Sequence, residues 1–439
     1  MSTPTTGSST EATPTPLSED HSEEQTKHGP SGQGALLRQV ASSPAVVGLL
    51  AVLTALILSS ILILAADSEV RYTATYLLNR PGDFLHATAS TLSEAYSSLL
   101  RGAVFDWRAT TGVRMIRPIT DTLTNATPLI IAGLGMAVAF RAGLFNIGGQ
   151  GQMILGAITA CYVGIAWNLP PVAHLLLAVV GAALGGLVWG GIAGVLKART
   201  GANEVIVTIM LNSIAAHLLS QVLSLKAFNG EGETGNRKSL TVADAAQYPS
   251  LAGDSFRLHA GFLLALLVAV AVWWLMERSR LGFQLRATGL NADAARTAGM
   301  SVPWVTSLVM MISGALCGLA ATAPVLGTQK SMDESVVGTI GFDAITVALL
   351  GRSRPLGTVL AGLLFGALRA GGTAMQAAPG THIKIVLVLQ STIVLFIAAP
   401  PLIRAIFRLP ERRDTLGGPA PSPASVPAAA PAAPAAKEA

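Results

Sequence analysis

Arg141-Ala-Gly-Leu-Phe-Asn-Ile-Gly-Gly-Gln-Gly-Gln-Met153 is the stretch that decides how this chain is read. It stands at the entrance of a long apolar run, yet it sets Asn146, Gln150 and Gln152 among Gly148, Gly149 and Gly151. An amide without a partner is expensive in hydrocarbon. Glycine lets one backbone approach another and lets a helix begin late or break. Amides and glycines gathered at a helix entrance mark either a lined path or close helix packing. Asn146 and Gln150 are one helical turn apart, so on a continuous helix both amides face the same way.

Outward from this stretch the chain is apolar. Of 439 residues, 51% are hydrophobic and 12% charged, about half the charged share of a soluble domain. The mean hydropathy is +0.55, and 45 glycines suit close helix packing better than a loop-rich soluble fold. The expected fold is an all-α, polytopic membrane protein with about ten transmembrane helices. The apolar segments fall near 45–66, 119–140, 144–168, 172–195, 203–225, 259–276, 304–325, 335–351, 356–375 and 384–404. The segment at 335–351 is the shortest and contains glycine. Residues 1–36 are rich in Ser, Thr, Pro and Glu and read as a disordered tail. They are too polar and too long for the n-region of a cleaved signal peptide, so the first apolar run reads as a retained helix. Residues 411–439 are a second, Pro/Ala-rich tail. The membrane domain is 37–410.

Short loops set the orientation through their Lys and Arg. Lys197, Arg199, Arg278, Arg280, Arg286, Arg296, Arg352, Arg354 and the arginines after 403 fall on one side under ten crossings. That side is expected to be the cytoplasm, with both termini inside. The loop 67–118, with six arginines, would lie outside; it is long and mixes in Asp and Glu, which lowers its weight. The net charge of +5 is spread over short loops and gives no nucleic-acid patch. Cys161 and Cys317 sit in apolar helices without metal spacing and read as small packing residues. Gly181, Gly185, Gly186, Gly190 and Gly194 repeat at fourfold spacing on adjacent faces of one helix, which reads as packing within one bundle.

The chain has no P-loop, no His-Glu-x-x-His and no Gly-x-Ser-x-Gly, so nothing in it points to an enzyme. Polar residues inside the apolar segments carry the signal instead. Asp121, Thr124 and Asn125 open the second segment, Glu204 and Asn212 lie on the fifth, and Asp343 on the eighth. The expected translocation pathway is Asn146, Gln150, Gln152, Glu204, Asn212 and Asp343, a set rich in amides that suits a neutral polar solute. Single members could equally be interhelical glue. In the loop Glu277–Met300, Asn291 can cap a short helix of small residues that Gly299 can stop. Its alanine face suits docking into a groove of another protein.

Three stretches carry a family resemblance: Gly143-Leu-Phe-Asn-Ile-Gly-Gly-Gln-Gly-Gln152, Gly201-Ala-Asn-Glu-Val-Ile-Val-Thr-Ile-Met-Leu-Asn212 and Gly341-Phe-Asp-Ala-Ile-Thr-Val-Ala-Leu-Leu-Gly-Arg352. With the loop from Gly289 to Gly299, they resemble permease subunits of bacterial ABC importers. The branch is that of ribose, galactoside and branched-chain amino-acid permeases, and the wording is most similar to nucleoside (simple-sugar) permeases. The resemblance spans roughly residues 45–405.

The resemblance implies a subunit without catalytic residues or a cofactor of its own, with ATP and Mg bound by a partner ABC ATPase. It implies a second permease subunit in a heterodimer, an extracellular substrate-binding lipoprotein and a place in the bacterial cytoplasmic membrane. Carried onto this chain, Gly289, Asn291, Ala294, Ala295 and Gly299 fall on the coupling helix that meets the ATPase. The expected solute is a nucleoside; a pentose or hexose importer is the alternative within the family, and an ion-coupled secondary transporter is the alternative outside it.

Overall fold

The computed structural model describes residues 44–229 and 237–376, with residues 391–392, 395–396, 402 and 405–408. The tails at 1–36 and 411–439 and most of the expected span 384–404 lie outside the described residues. Among the described residues the chain is helical, and the only β pairing is two isolated bridges. The helices are α1 (Pro44–Ala66), α2 (Ser68–Ala74), α3 (Pro81–Ala103), α4 (Gly112–Arg141), α5 (Gly149–Ala166), α6 (Pro171–Thr200) and α7 (Glu204–Leu223). They continue with α8 (Gly261–Arg278), α9 (Arg280–Leu290), α10 (Ala292–Thr297), α11 (Val302–Ala320), α12 (Ile340–Leu350) and α13 (Pro355–Gln376).

Six described helices are long and apolar enough to cross a membrane: α4, α6, α7, α8, α13, and α11 with its π-helical extension to Thr328. The end of α1 and α2 form one bent pair at 78°. Three places depart from an even run of ten spans. The segment expected at 144–168 becomes helical only at Gly149, and residues 144–148 enter without helix. The segment expected at 335–351 holds only α12, whose 11 residues reach about 16 Å, roughly half of the hydrocarbon thickness. The loop expected at 67–118 contains α2 and α3. Hydropathy misses α3 because it is amphipathic: Asp83, Glu94 and Arg101 share it with buried Ala87, Ala95, Leu99 and Ala103. Its Tyr96 hydroxyl bonds Ser60 of α1 at 2.7 Å.

Helix α4 is the centre. Every residue from Ala126 to Ala139 is buried, as befits a helix that is apolar all round. Helix α13 runs antiparallel along it, with Gly362 against Ile130 and Gly366 against Ala126. Helices α6 and α11 also cross antiparallel: Gly186 faces Gly314 and Gly318, and Gly194 faces Ser307. A Cβ on Gly186 or Gly314 would strike the other helix's backbone, so only glycine allows this approach. On the adjacent face of α6, Gly181 accepts a hydrogen bond from Thr159 of α5 at 2.8 Å. The fourfold glycine pattern is thus spent inside one bundle.

The two ends of the bundle differ. At the α9–α10 end, Glu277 pairs with Arg141 at 3.6 Å and with Arg286 at 3.8 Å, and Arg141 Nε donates to the Ser353 carbonyl at 3.1 Å. At the far end, the segments 237–248 and 326–332 pair through backbone bonds: Ser239 N–H to Met332 at 2.7 Å, Val242 N–H to Lys330 at 2.9 Å and Tyr248 N–H to Leu326 at 2.9 Å.

Candidate functional site

The defining stretch folds as a break. After Arg141 the chain turns at Gly143 (φ +72°) and runs without helix to Gly148. Inside a membrane such backbone needs protein partners, and the amides supply them. Asn146, fully buried, accepts from Gly148 N–H at 2.9 Å. Its Nδ2 donates to Gln152 Oε1 at 3.0 Å and to Ser313 Oγ of α11 at 2.8 Å. Gln152 Nε2 donates back to Asn146 Oδ1 at 3.2 Å. Asn212 of α7 accepts from Gly151 N–H at 2.8 Å and donates to the Ile147 carbonyl at 2.9 Å. Gly151 lies in the first turn of α5, so Asn212 satisfies one of its orphan donors. The expectation that Asn146 and Gln150 share a helical face is corrected: Asn146 precedes the helix and reaches α11, whereas Gln150 reaches α12.

The second break meets the first. Gln150 Nε2 donates to the Gly338 carbonyl at 2.7 Å, and its Oε1 accepts from Gly341 N–H at 3.2 Å. Helix α12 therefore begins against the first turn of α5. In its first turn, Asp343 pairs with Arg369 of α13. Arg369 also donates to Thr339 Oγ1 at 2.9 Å, and Thr339 Oγ1 donates to Asp343 Oδ2 at 3.1 Å. A carboxylate in the first turn complements the helix dipole. Gly338, Thr339 and Phe342 are exposed, and the side chains of Asp343 and Arg369 keep 25% and 23% of their surface open. Polar surface at this depth faces water or protein rather than lipid tails.

Beside it, towards the far end, is a cavity of about 260 Å³. Asp121, Asn125, Arg257, Gln329, Ser335 and Arg369 border it. A second, of about 840 Å³, lies between α3, α4 and α13 and shares Asp121, Asn125 and Arg257 with the first. Asp121 pairs loosely with Arg117 at 3.7 Å. The polar opening of α4 at Asp121, Thr124 and Asn125, legible in the sequence, thus faces a cavity. Sequence reasoning passed over Arg369, although a lone arginine in an apolar run is itself a signal. It also passed over Arg257, which sits in a loop with no motif.

The six expected pathway residues separate into three groups. Gln150 and Asp343 meet at the start of α12. Asn146, Gln152 and Asn212 form the buried amide network at the start of α5. Glu204 stands apart at the α9–α10 end, where Lys197 Nζ lies 2.5 Å from its Oε2.

The short helix α10 forms as its local signals dictate. Asn291 Oδ1 accepts from Asp293 and Ala294 N–H, both at 3.0 Å, and Gly299 ends the helix at φ +83°. Gly289 packs against the backbone of Arg141 and Ala142. Ala295 is only 3% exposed, so it holds the helix to the body. Expected on the helix's small outward face, Ala295 instead turns inward, and the outward residues are Leu290, 88% exposed, with Ala292, Ala294 and Ala298.

At the far end Tyr248 stacks on His259, with ring centroids 5.4 Å apart. His259 Nδ1 accepts from Gly261 N–H at 3.1 Å. Burial, helped by the Arg257 charge, pushes this imidazole down to about 4, so it is neutral near pH 7.

Residues 119–398 match the family described as the permease component of branched-chain amino acid transport systems. The chain is similar to a guanosine ABC transporter permease protein of Bacillus subtilis, 40% identical over 289 residues, or 66% of this chain and 83% of the relative. It is similar to a glucose ABC transporter permease protein of Haloferax volcanii, 36% identical over 316 residues, or 70% and 82% of the two chains. A nucleoside ABC transporter permease protein of Lactococcus lactis is 34% identical over 298 residues, or 66% and 81%.

Proposed function

The chain belongs to this permease family, and on that premise we propose that it is the membrane-spanning subunit of an ATP-driven importer of nucleosides. The guanosine and nucleoside relatives support the solute class. The single observation that carries the site is the polar surface at the meeting point of α5 and α12, where Gln150, Thr339, Asp343 and Arg369 gather part-way along the bundle. Amide, hydroxyl and paired charge offer donors and acceptors to a hydroxyl-bearing solute without presenting a lone ion. In this reading Gln150 and Asp343 border the path, Asn146, Gln152 and Asn212 hold its wall in place, and Glu204 stands near its inner mouth.

The far end faces outward and receives solute from a substrate-binding lipoprotein. The α9–α10 end and both termini are cytoplasmic, in a bacterial cytoplasmic membrane. There α10 meets a separate ABC ATPase, which holds ATP and Mg. A second permease subunit, different from this one, covers the exposed polar surface. The glucose relative favours a second reading, a sugar importer, since both solutes carry a ring with hydroxyls.

Purification of the tagged chain from its native membrane tests the assembly. An ATPase, a second permease and a lipoprotein should co-elute. Titration of the lipoprotein with guanosine and with glucose then decides the solute. Glucose binding without guanosine binding would replace the nucleoside by a sugar, and elution without any ATPase would remove the importer.

A further inference from the structure

The start of α12 is held by side chains rather than by continuous helix. Residues 329–339 before it are irregular, with Gly338 at φ +51°. Gln150 holds the Gly338 carbonyl and the Gly341 N–H, and Arg369 holds Thr339 and Asp343. Arg369 is the only charged residue of α13, whose 22 residues are otherwise uncharged. A cation inside a span is costly unless paired, and its usual partner is an acid on a neighbouring helix. Here that partner sits on an 11-residue half-helix.

The position of the pair matters as much as its charge. Arg369 borders the smaller cavity, whereas Thr339 and Asp343 do not. Gly338 and Ile340 border it as well, so the cavity ends in a wall at the start of α12, where the Arg369–Asp343 pair sits. Asp121, Asn125 and Gln329 face the same cavity and can hold a hydroxyl-bearing molecule against that wall.

We propose that the Arg369–Asp343 ion pair is the gate between the far-end cavity and the rest of the path, and that solute hydroxyls release it by taking Asp343's place on the guanidinium. Arg369 thus meets the solute directly and releases Asp343 as it does. A polyol offers acceptors to the arginine and donors to the freed carboxylate, so neither charge is left bare. An apolar molecule offers neither and leaves the gate shut. The proposal rests on the importer reading and on an outward far end, but not on which polyol is carried.

A cysteine below the gate reads its state. Thr346 lies one turn beyond Asp343 on α12 and is partly buried. In the assembled complex in intact cells, with Cys161 and Cys317 replaced by alanine, Thr346→Cys is treated with a membrane-impermeant maleimide. With the native pair, labelling should be slow, and saturating guanosine should speed it. Arg369→Ala and Asp343→Asn should each speed labelling roughly fivefold or more without solute. The exchange Arg369→Asp with Asp343→Arg should return it to the slow rate, which a loss of packing would not do. Arg369→Gln, of similar length, replaces Arg369→Ala if that chain fails to assemble with the ATPase. Equal labelling of the native pair and both single variants overturns the gate, and so does an exchange variant as fast as the singles. Guanosine uptake by the unmodified complex is measured in parallel. Uptake with pair-independent labelling removes the gate and keeps the importer. Pair-dependent labelling without guanosine uptake removes the nucleoside and keeps the gate.

Discussion

Asn146 and Gln150 look alike in sequence and do different work. Asn146 is fully buried and bonds Gly148, Gln152 and Ser313. Leucine there leaves those groups unpaired, at about 1–3 kcal/mol for each buried orphan. Asn146→Leu should therefore lower the yield of monodisperse protein on size exclusion, while uptake per surviving molecule stays near wild type. A wild-type yield would show that the network contributes little. The sequence exposed the amides as abnormal but not their partners, because Ser313 and Gly341 lie far along the chain.

His259 yields a pH dependence of defined sign. Its folded pKa is about 4, against roughly 6.5 when unfolded. Between these values the unfolded chain binds a proton that the folded chain does not, so stability falls as pH drops from about 6.5 towards 4 and levels off below. The limit is on the order of 3 kcal/mol. His259→Phe should flatten the melting temperature between pH 6.5 and 4.5 relative to wild type. An unchanged pH slope in the variant would assign the acid sensitivity to other groups.

At the scale of elements, legibility followed the locality of the signal. Helix α10 was readable because its cap and stop, Asn291 and Gly299, are local chemistry. The long apolar helices were readable from hydropathy. The late starts of α5 and α12, at Gly149 and Ile340 rather than near 144 and 335, were not placed by hydropathy, since partners from other elements hold the entering backbone. Helix α3 was hidden by its charges. The burial of Ala295 was hidden too, because α10 has small residues on every face. Two substitutions separate the faces of α10. Ala294→Glu points outward and should leave the permease inserted while reducing ATPase copurification and stimulated hydrolysis. Ala295→Glu places a charge in the chain's own core, a loss of several kcal/mol, and should reduce the amount of folded permease itself. If Ala294→Glu retains full ATPase association, α10 is not the docking element.

Over the whole molecule, the chain is a multi-pass helical permease with two helices that start inside the bundle, α5 and α12. Side chains rather than continuous helix join them, and that junction adjoins the polar cavity. At the other end of α12, the turn at Ser353 bonds Arg141, which reaches Glu277 beneath α9. The fold thus links the cavity to the face where an ATPase is proposed to dock. The most direct test is uptake of radiolabelled guanosine into vesicles reconstituted with this chain, its partner permease, the ATPase and the binding lipoprotein. Accumulation should require ATP, cease when either this chain or the ATPase is omitted, and be unaffected by dissipating ion gradients. Uptake that persists without ATP and collapses with the ion gradient would contradict the account.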